Sequence, residues 1–165
     1  MAAALPGAPG CLLPKSCTEI GCSDQFVAAV RRADGSFPSG MHRVDVTADG
    51  VTLSCTFTFP ATAANSGGFV DATCPPGLIV TVGPLQTCTT MTVGNSVVQT
   101  CDPVPGQFAE AIAMPGTPAQ IHASQYVDGV AILDASAAPS YQDYAPNGKE
   151  CGPICHQASV DWMLN

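Results

Sequence analysis

The stretch Cys88–Cys101, CTTMTVGNSVVQTC, constrains the fold more than any other part of the chain. Gly94-Asn95 is a two-residue hairpin signal. A turn centred there places Val93 opposite Ser96, Met91 opposite Val98 and Cys88 opposite Cys101. Pairs alternate between hydrogen-bonded and non-hydrogen-bonded types outward from the turn, and Cys88 with Cys101 falls on a non-hydrogen-bonded pair. The Cα atoms approach most closely there, which suits a disulfide. Met91, Val93 and Val98 share one side of this hairpin, with Thr90, Thr92, Gln99 and both cysteines on the other and Val97 as the exception among them. The bridge is therefore expected as a staple on the outer face of a sheet, worth about 3 kcal/mol in the chain-entropy picture.

The rest of the chain repeats the theme of short apolar runs between Gly/Pro turns. Phe26–Val30 reads as a first strand, and Met41–Thr47 as a second with Val44 and Val46 on one face. Asp49-Gly50 turns the chain into Leu53–Phe59, with Leu53, Cys55, Phe57 and Phe59 facing the core. Pro60–Gly68 has loop composition, and Phe69–Thr73 is a short strand ending at Cys74. A Cys55–Cys74 bridge fits a hairpin across that loop; a bridge from Cys55 to the opposite sheet is the alternative. Leu78–Val82 is the next strand, and Asp102–Gly106, rich in proline, is expected to break the chain. Phe108–Ala113 fits a strand, or one helical turn as the alternative. Asp128-Gly129 centres a third hairpin, Pro139–Glu150 is a long loop, and His156–Leu164 is a last strand.

About nine short antiparallel strands with turns every ten residues or so predict an all-β fold: a single immunoglobulin-like β-sandwich, disulfide-stapled. The sandwich is expected over residues 16–165, after a flexible leader over 1–15. Nine cysteines point to an oxidising compartment. Five basic residues against thirteen acidic ones cannot build a phosphate-binding stripe, so nucleic acid is excluded as a partner. No apolar run has the length of a membrane-spanning helix. The first residues lack an intact signal peptide, which fits a mature chain with an added Met1.

Three stretches resemble known proteins. Pro139-x-Tyr141, Pro146-Asn147-Gly148 and Cys151-x-x-x-Cys155-x-x-Ala158 before an alternating strand resemble the ending of a group of secreted or lipoprotein β-sandwich proteins of Gram-negative bacteria. Gly21-Cys22-Ser23-Asp24 before the first strand is similar to their beginning. The resemblance implies an immunoglobulin-like or transthyretin-like accessory domain and a secreted or cell-envelope location. It carries over no catalytic residue. Ala8-Pro9-Gly10-Cys11 resembles a bacterial lipobox, which implies a lipid anchor at Cys11; otherwise Cys11 is a candidate free thiol or forms a bridge with a nearby cysteine.

Cys151-Gly-Pro-Ile-Cys155-His156 is the motif closest to chemistry. It resembles the haem-attachment Cys-x-x-Cys-His and the thiol-oxidoreductase Cys-Gly-Pro-Cys, each with one inserted residue. The insertion and the strand context favour a structural role, with Cys151 and Cys155 bridging to different partners. Cys17 and Cys22 remain to supply them, which would tie the first strand to the last. His42, His122 and His156 do not share a ligand-like spacing. On the strand reading His42 points with Val44 and opposes Phe57, as a satisfied or rim histidine. Tyr141 and Tyr144 are candidates for a contact surface, or for packing the loop onto the sandwich end.

The expected function is a non-enzymatic structural or binding module of a bacterial envelope or secretome, with no cofactor and a protein or glycan partner of unknown identity. The alternatives are a small redox or c-type haem protein using Cys151, Cys155 and His156, and an envelope metal-binding protein.

Overall fold

A computed structural model describes residues 20–61, 68–94 and 96–165. The expected leader, Cys11 and Cys17 lie outside the described residues, as does most of the loop after Pro60. Ten strands are present among the described residues: β1 Gln25–Arg31, β2 Gly40–Ala48, β3 Val51–Phe59, β4 Val70–Asp71, β5 Ile79–Val93, β6 Ser96–Pro115, β7 Ile121–Val127, β8 Val130–Ala137, β9 Gln142–Tyr144 and β10 Cys155–Met163. They form a six-stranded sheet in the order β4-β5-β6-β1-β10-β9 and a four-stranded sheet in the order β3-β2-β7-β8.

The inward faces follow the alternation of the sequence. Phe26, Ala28 and Val30 of β1 and Val80 and Val82 of β5 are buried in the larger sheet; Val44, Val46, Phe57, Phe59, Ile121 and Ala123 are buried in the smaller. They join one core cluster with Ile112, Trp162 and Leu164, so the chain is an all-β sandwich of two sheets over one core. Phe108–Ala113 is strand, not helix. The β2–β3 hairpin has the register set by its Asp-Gly turn, with Val44 opposite Cys55 and Val46 opposite Leu53. Asp49 and Asp128 each take a positive φ at these turns, 47° and 48°, a conformation Asp tolerates through its short polar side chain.

Three expectations need correction. The sheet is not wholly antiparallel, because β1 pairs in parallel with β10, Phe26 opposite Ala158 and Val30 opposite Trp162. The strands are not all short, since β5 has 15 residues and β6 has 20. The proline-rich stretch after Asp102 does not end the strand. Pro103 pairs with Gln86 at a position whose backbone nitrogen faces outward, so no ladder hydrogen bond is lost there. The register shift between Pro84 and Gln86 absorbs the residues around Pro105, and Gly106 supplies the positive φ of 73° that this bulge requires.

Candidate functional site

The long β5–β6 hairpin runs past the edge of the sandwich. From Gln86 to Gly106 every described side chain is exposed except the half-buried Val104. At about 3.4 Å per residue, Gln86–Val93 projects for roughly 27 Å. Both faces of this ribbon meet solvent, so the Cys88–Cys101 bridge is not on the outer face of a packed sheet. It locks a free-standing arm. Its Cα atoms are 4.0 Å apart, the close spacing of a non-hydrogen-bonded pair. The ribbon carries almost no charge, Asp102 being its single charged residue. Met91 and Val98 are opposite each other and exposed at 57% and 45%. Such a surface is uncommon for a solvated strand pair, which is normally edged with charges.

The other cysteines tie the sandwich itself. Cys55 on the core side of β3 is bonded to Cys74. Cys22 is bonded to Cys155 at the start of β10, joining residues 133 apart in sequence. Cys151 is also disulfide-bonded, with its partner outside the described residues. Both sulfurs of the Cys151–His156 motif are thus engaged as disulfides, to different partners. Neither is free for a haem thioether, and the two do not form a redox pair with each other. The His156 ring lies between two carboxylates: Nδ1 is 3.2 Å from Asp24 Oδ1 and Nε2 is 3.6 Å from Asp143 Oδ1. These approach opposite ring nitrogens and do not converge on one point. The His156 backbone N–H donates to Asp24 Oδ1 at 2.7 Å, and this bond is the main cause of an Asp24 pKa below the usual carboxylate value.

The remaining histidines are elsewhere. His122 Nδ1 is 3.0 Å from Ser136 Oγ and 3.7 Å from Asp134 Oδ1, beside a surface pocket of ≈ 430 Å³ lined also by Thr47, Asp49 and Gln120. A serine-activating histidine needs its acid on the nitrogen away from the serine. Here serine and aspartate approach the same nitrogen, so the trio is a cross-strand polar cluster. Among the described residues no three His, Cys, Asp or Glu side chains are arranged to hold a metal ion. Tyr141 is half-buried against the core and donates from its hydroxyl to Pro118 O at 2.9 Å; burial pushes its pKa up. Tyr144, on edge strand β9, is exposed.

A polar chain crosses the core where the sequence reading placed only His42. His42 is fully buried and stacked between Phe37 and Phe57, at ring-centroid distances of 5.0 and 4.6 Å. Nε2 is 2.8 Å from Pro38 O, an atom that can only accept, so Nε2 carries the hydrogen. Nδ1 then accepts from Gln125 Nε2 at 3.1 Å. Burial lowers the His42 pKa and keeps the ring neutral. Glu110 of the opposite sheet is 1% exposed, and desolvation pushes its pKa up to about 8, with Gln125 as the opposing influence. Both Glu110 carboxyl oxygens and Gln125 Oε1 are without a hydrogen-bond partner. A proton on Glu110 supplies a donor to this acceptor-rich cluster. The signal for Glu110 is in the sequence: it alternates with Phe108 and Ile112, which puts it on the inward face of β6.

The chain matches no family model, no curated protein and no solved structure.

Proposed function

We propose that the chain is a non-enzymatic binding or structural module of a bacterial cell envelope or secretome, and that the β5–β6 ribbon is its contact element. The ribbon carries this reading. A two-stranded hairpin standing alone is marginal in water. This one adds no side chain to the core between Gln86 and Gly106, yet it is held in shape by a disulfide. A locked, uncharged, solvent-facing strand pair makes sense as a surface kept ready for a partner, because ordering it beforehand lowers the entropy lost on binding. Three disulfides among the described residues fit an oxidising compartment. The exported location and the accessory-domain character follow from the likeness of the Cys151–Ala158 and Gly21–Asp24 stretches to envelope sandwich proteins.

A ribbon-shortened chain, with Thr87 joined to Asp102 through an Asn-Gly turn, tests the reading. Full-length and shortened proteins are exported from a Gram-negative host and followed by thermal unfolding and by retention on washed envelope fractions. The expected result is an unchanged unfolding midpoint with retention lost. Equal retention of the two proteins, or a shortened chain that no longer folds, refutes the ribbon as a contact element.

A further inference from the structure

The two edges of the ribbon are not equivalent. Non-hydrogen-bonded pairs turn their N–H and C=O groups outward. Cys88:Cys101 is such a pair, so Thr90:Gln99 and Thr92:Val97 are too. On the β5 side the outward groups belong to Cys88, Thr90 and Thr92, none of them proline. On the β6 side the row runs into Pro103, which has no N–H to offer. Proline on an edge is a guard against strand addition. On β6 that guard stands within the ribbon at Pro103, opposite Gln86; on β5 the nearest proline, Pro84, precedes the ribbon and leaves Gln86–Thr92 without one. Among the described residues, β4 covers β5 only at Thr81 and Val82, and the edge beyond is unpaired.

Resting on the reading of the ribbon as contact element, we propose that the free β5 edge, Cys88–Thr92, pairs antiparallel with the same edge of a second copy of this chain. Three observations choose a second copy. An antiparallel pair of identical strands closes on itself about a two-fold axis, with Thr90 opposite its own mate. The segment QTCTTMT has no charge, so two chains of net charge -8 can approach there without like charges in the contact. About that centre Thr90 meets Thr90 and Cys88 meets Thr92, small or β-branched residues that suit cross-strand pairing, while Met91 and Val98 of each copy merge into one apolar patch across the joint face. The product is a four-stranded ribbon linking two sandwiches.

The test is sedimentation equilibrium of the full chain and three variants. Thr90→Pro removes an outward N–H without touching the ribbon's own ladder. Thr90→Lys places two like charges across the two-fold. Gln99→Pro makes the same proline change on the β6 edge. Wild type is expected to dimerise reversibly, Thr90→Pro and Thr90→Lys to weaken the dimer by about tenfold or more, and Gln99→Pro to match wild type. A wild type that stays monomeric, or equal weakening by Gln99→Pro, overturns self-pairing. If Thr90→Pro does not fold, Thr90→Lys decides alone. A monomer whose ribbon still holds it to envelope fractions refutes the second copy and leaves the contact element standing. Equal retention of the ribbon-shortened chain refutes the contact element.

Discussion

Glu110→Gln should change how stability depends on pH. The folded chain keeps the Glu110 proton up to about pH 8, against an ordinary value of 4.5. That difference corresponds to about 5 kcal/mol between the two protonation states. The unfolded chain releases the proton first, so between these values the folded state binds more protons. Stability therefore falls as pH rises. The contribution is fully present below the unfolded pKa and lost by the time pH passes the folded one. From pH 5 to pH 7 the loss is about 2–3 kcal/mol. A glutamine at this position has no proton to release, and its amide offers the donor that Gln125 Oε1 lacks. Asp24 and Asp34, whose pKa values are lowered, contribute with the opposite sign and only at more acid pH, equally in both proteins. Urea unfolding at pH 5, 6, 7 and 8 reads the difference directly. The gap between the Glu110→Gln and wild-type midpoints should widen by about 1 M from pH 5 to pH 7. A gap that does not move with pH means that Glu110 is ionised in the fold, and the account of the core is then wrong.

Other perturbations separate the remaining elements. Replacing Cys22 and Cys155 together by alanine opens a link across 133 residues, and urea midpoints should show a loss of about 5 kcal/mol in the chain-entropy picture. The same double change at Cys88 and Cys101 should leave the midpoint nearly unmoved, because the ribbon can open in the folded protein as freely as in the unfolded one; hydrogen exchange should show the ribbon amides losing protection instead. Asp49→Ala removes the carboxylate that accepts from the Ala119 and Gln120 amides at 3.0 Å each, and thermal unfolding should register a loss of about 1–3 kcal/mol. Asp49→Asn should cost less, since Asn tolerates the positive φ at this turn.

Much of the sandwich was legible because one face of each core strand is buried. Val44, Val46, Cys55, Phe57 and Phe59 alternate with polar residues, and two Asp-Gly turns fix the register of the hairpins they join. The parallel pairing of β1 with β10 left no such mark. Parallel partners are remote in sequence, and no turn joins them to announce a register. Only the cysteines hinted at it, as residues that had to meet across the length of the chain. The Glu110–Gln125–His42 chain was hidden for a different reason. Each residue looks ordinary in its own strand, and the relation among them exists only once two sheets face each other.

The ribbon shows where alternation stops being informative. Its turn, register and disulfide could all be read from Gly94-Asn95 and two cysteines, yet its place outside the core could not. A hairpin in a sandwich and a hairpin in solvent obey the same pairing rules, and they differ in what covers their faces. Charge is the usual marker of a solvated face, and this segment has one charged residue from Gln86 to Gly106. By composition it belongs inside a protein; by position it stands in water. That conflict is resolved if some other surface covers the ribbon for much of its life. It also explains the division of labour among the bridges. Cys55–Cys74 and Cys22–Cys155 hold strands that the core already holds. Cys88–Cys101 holds the one pair of strands that nothing else in the described fold supports, which fits the proposal that the ribbon is an edge kept in shape for a partner.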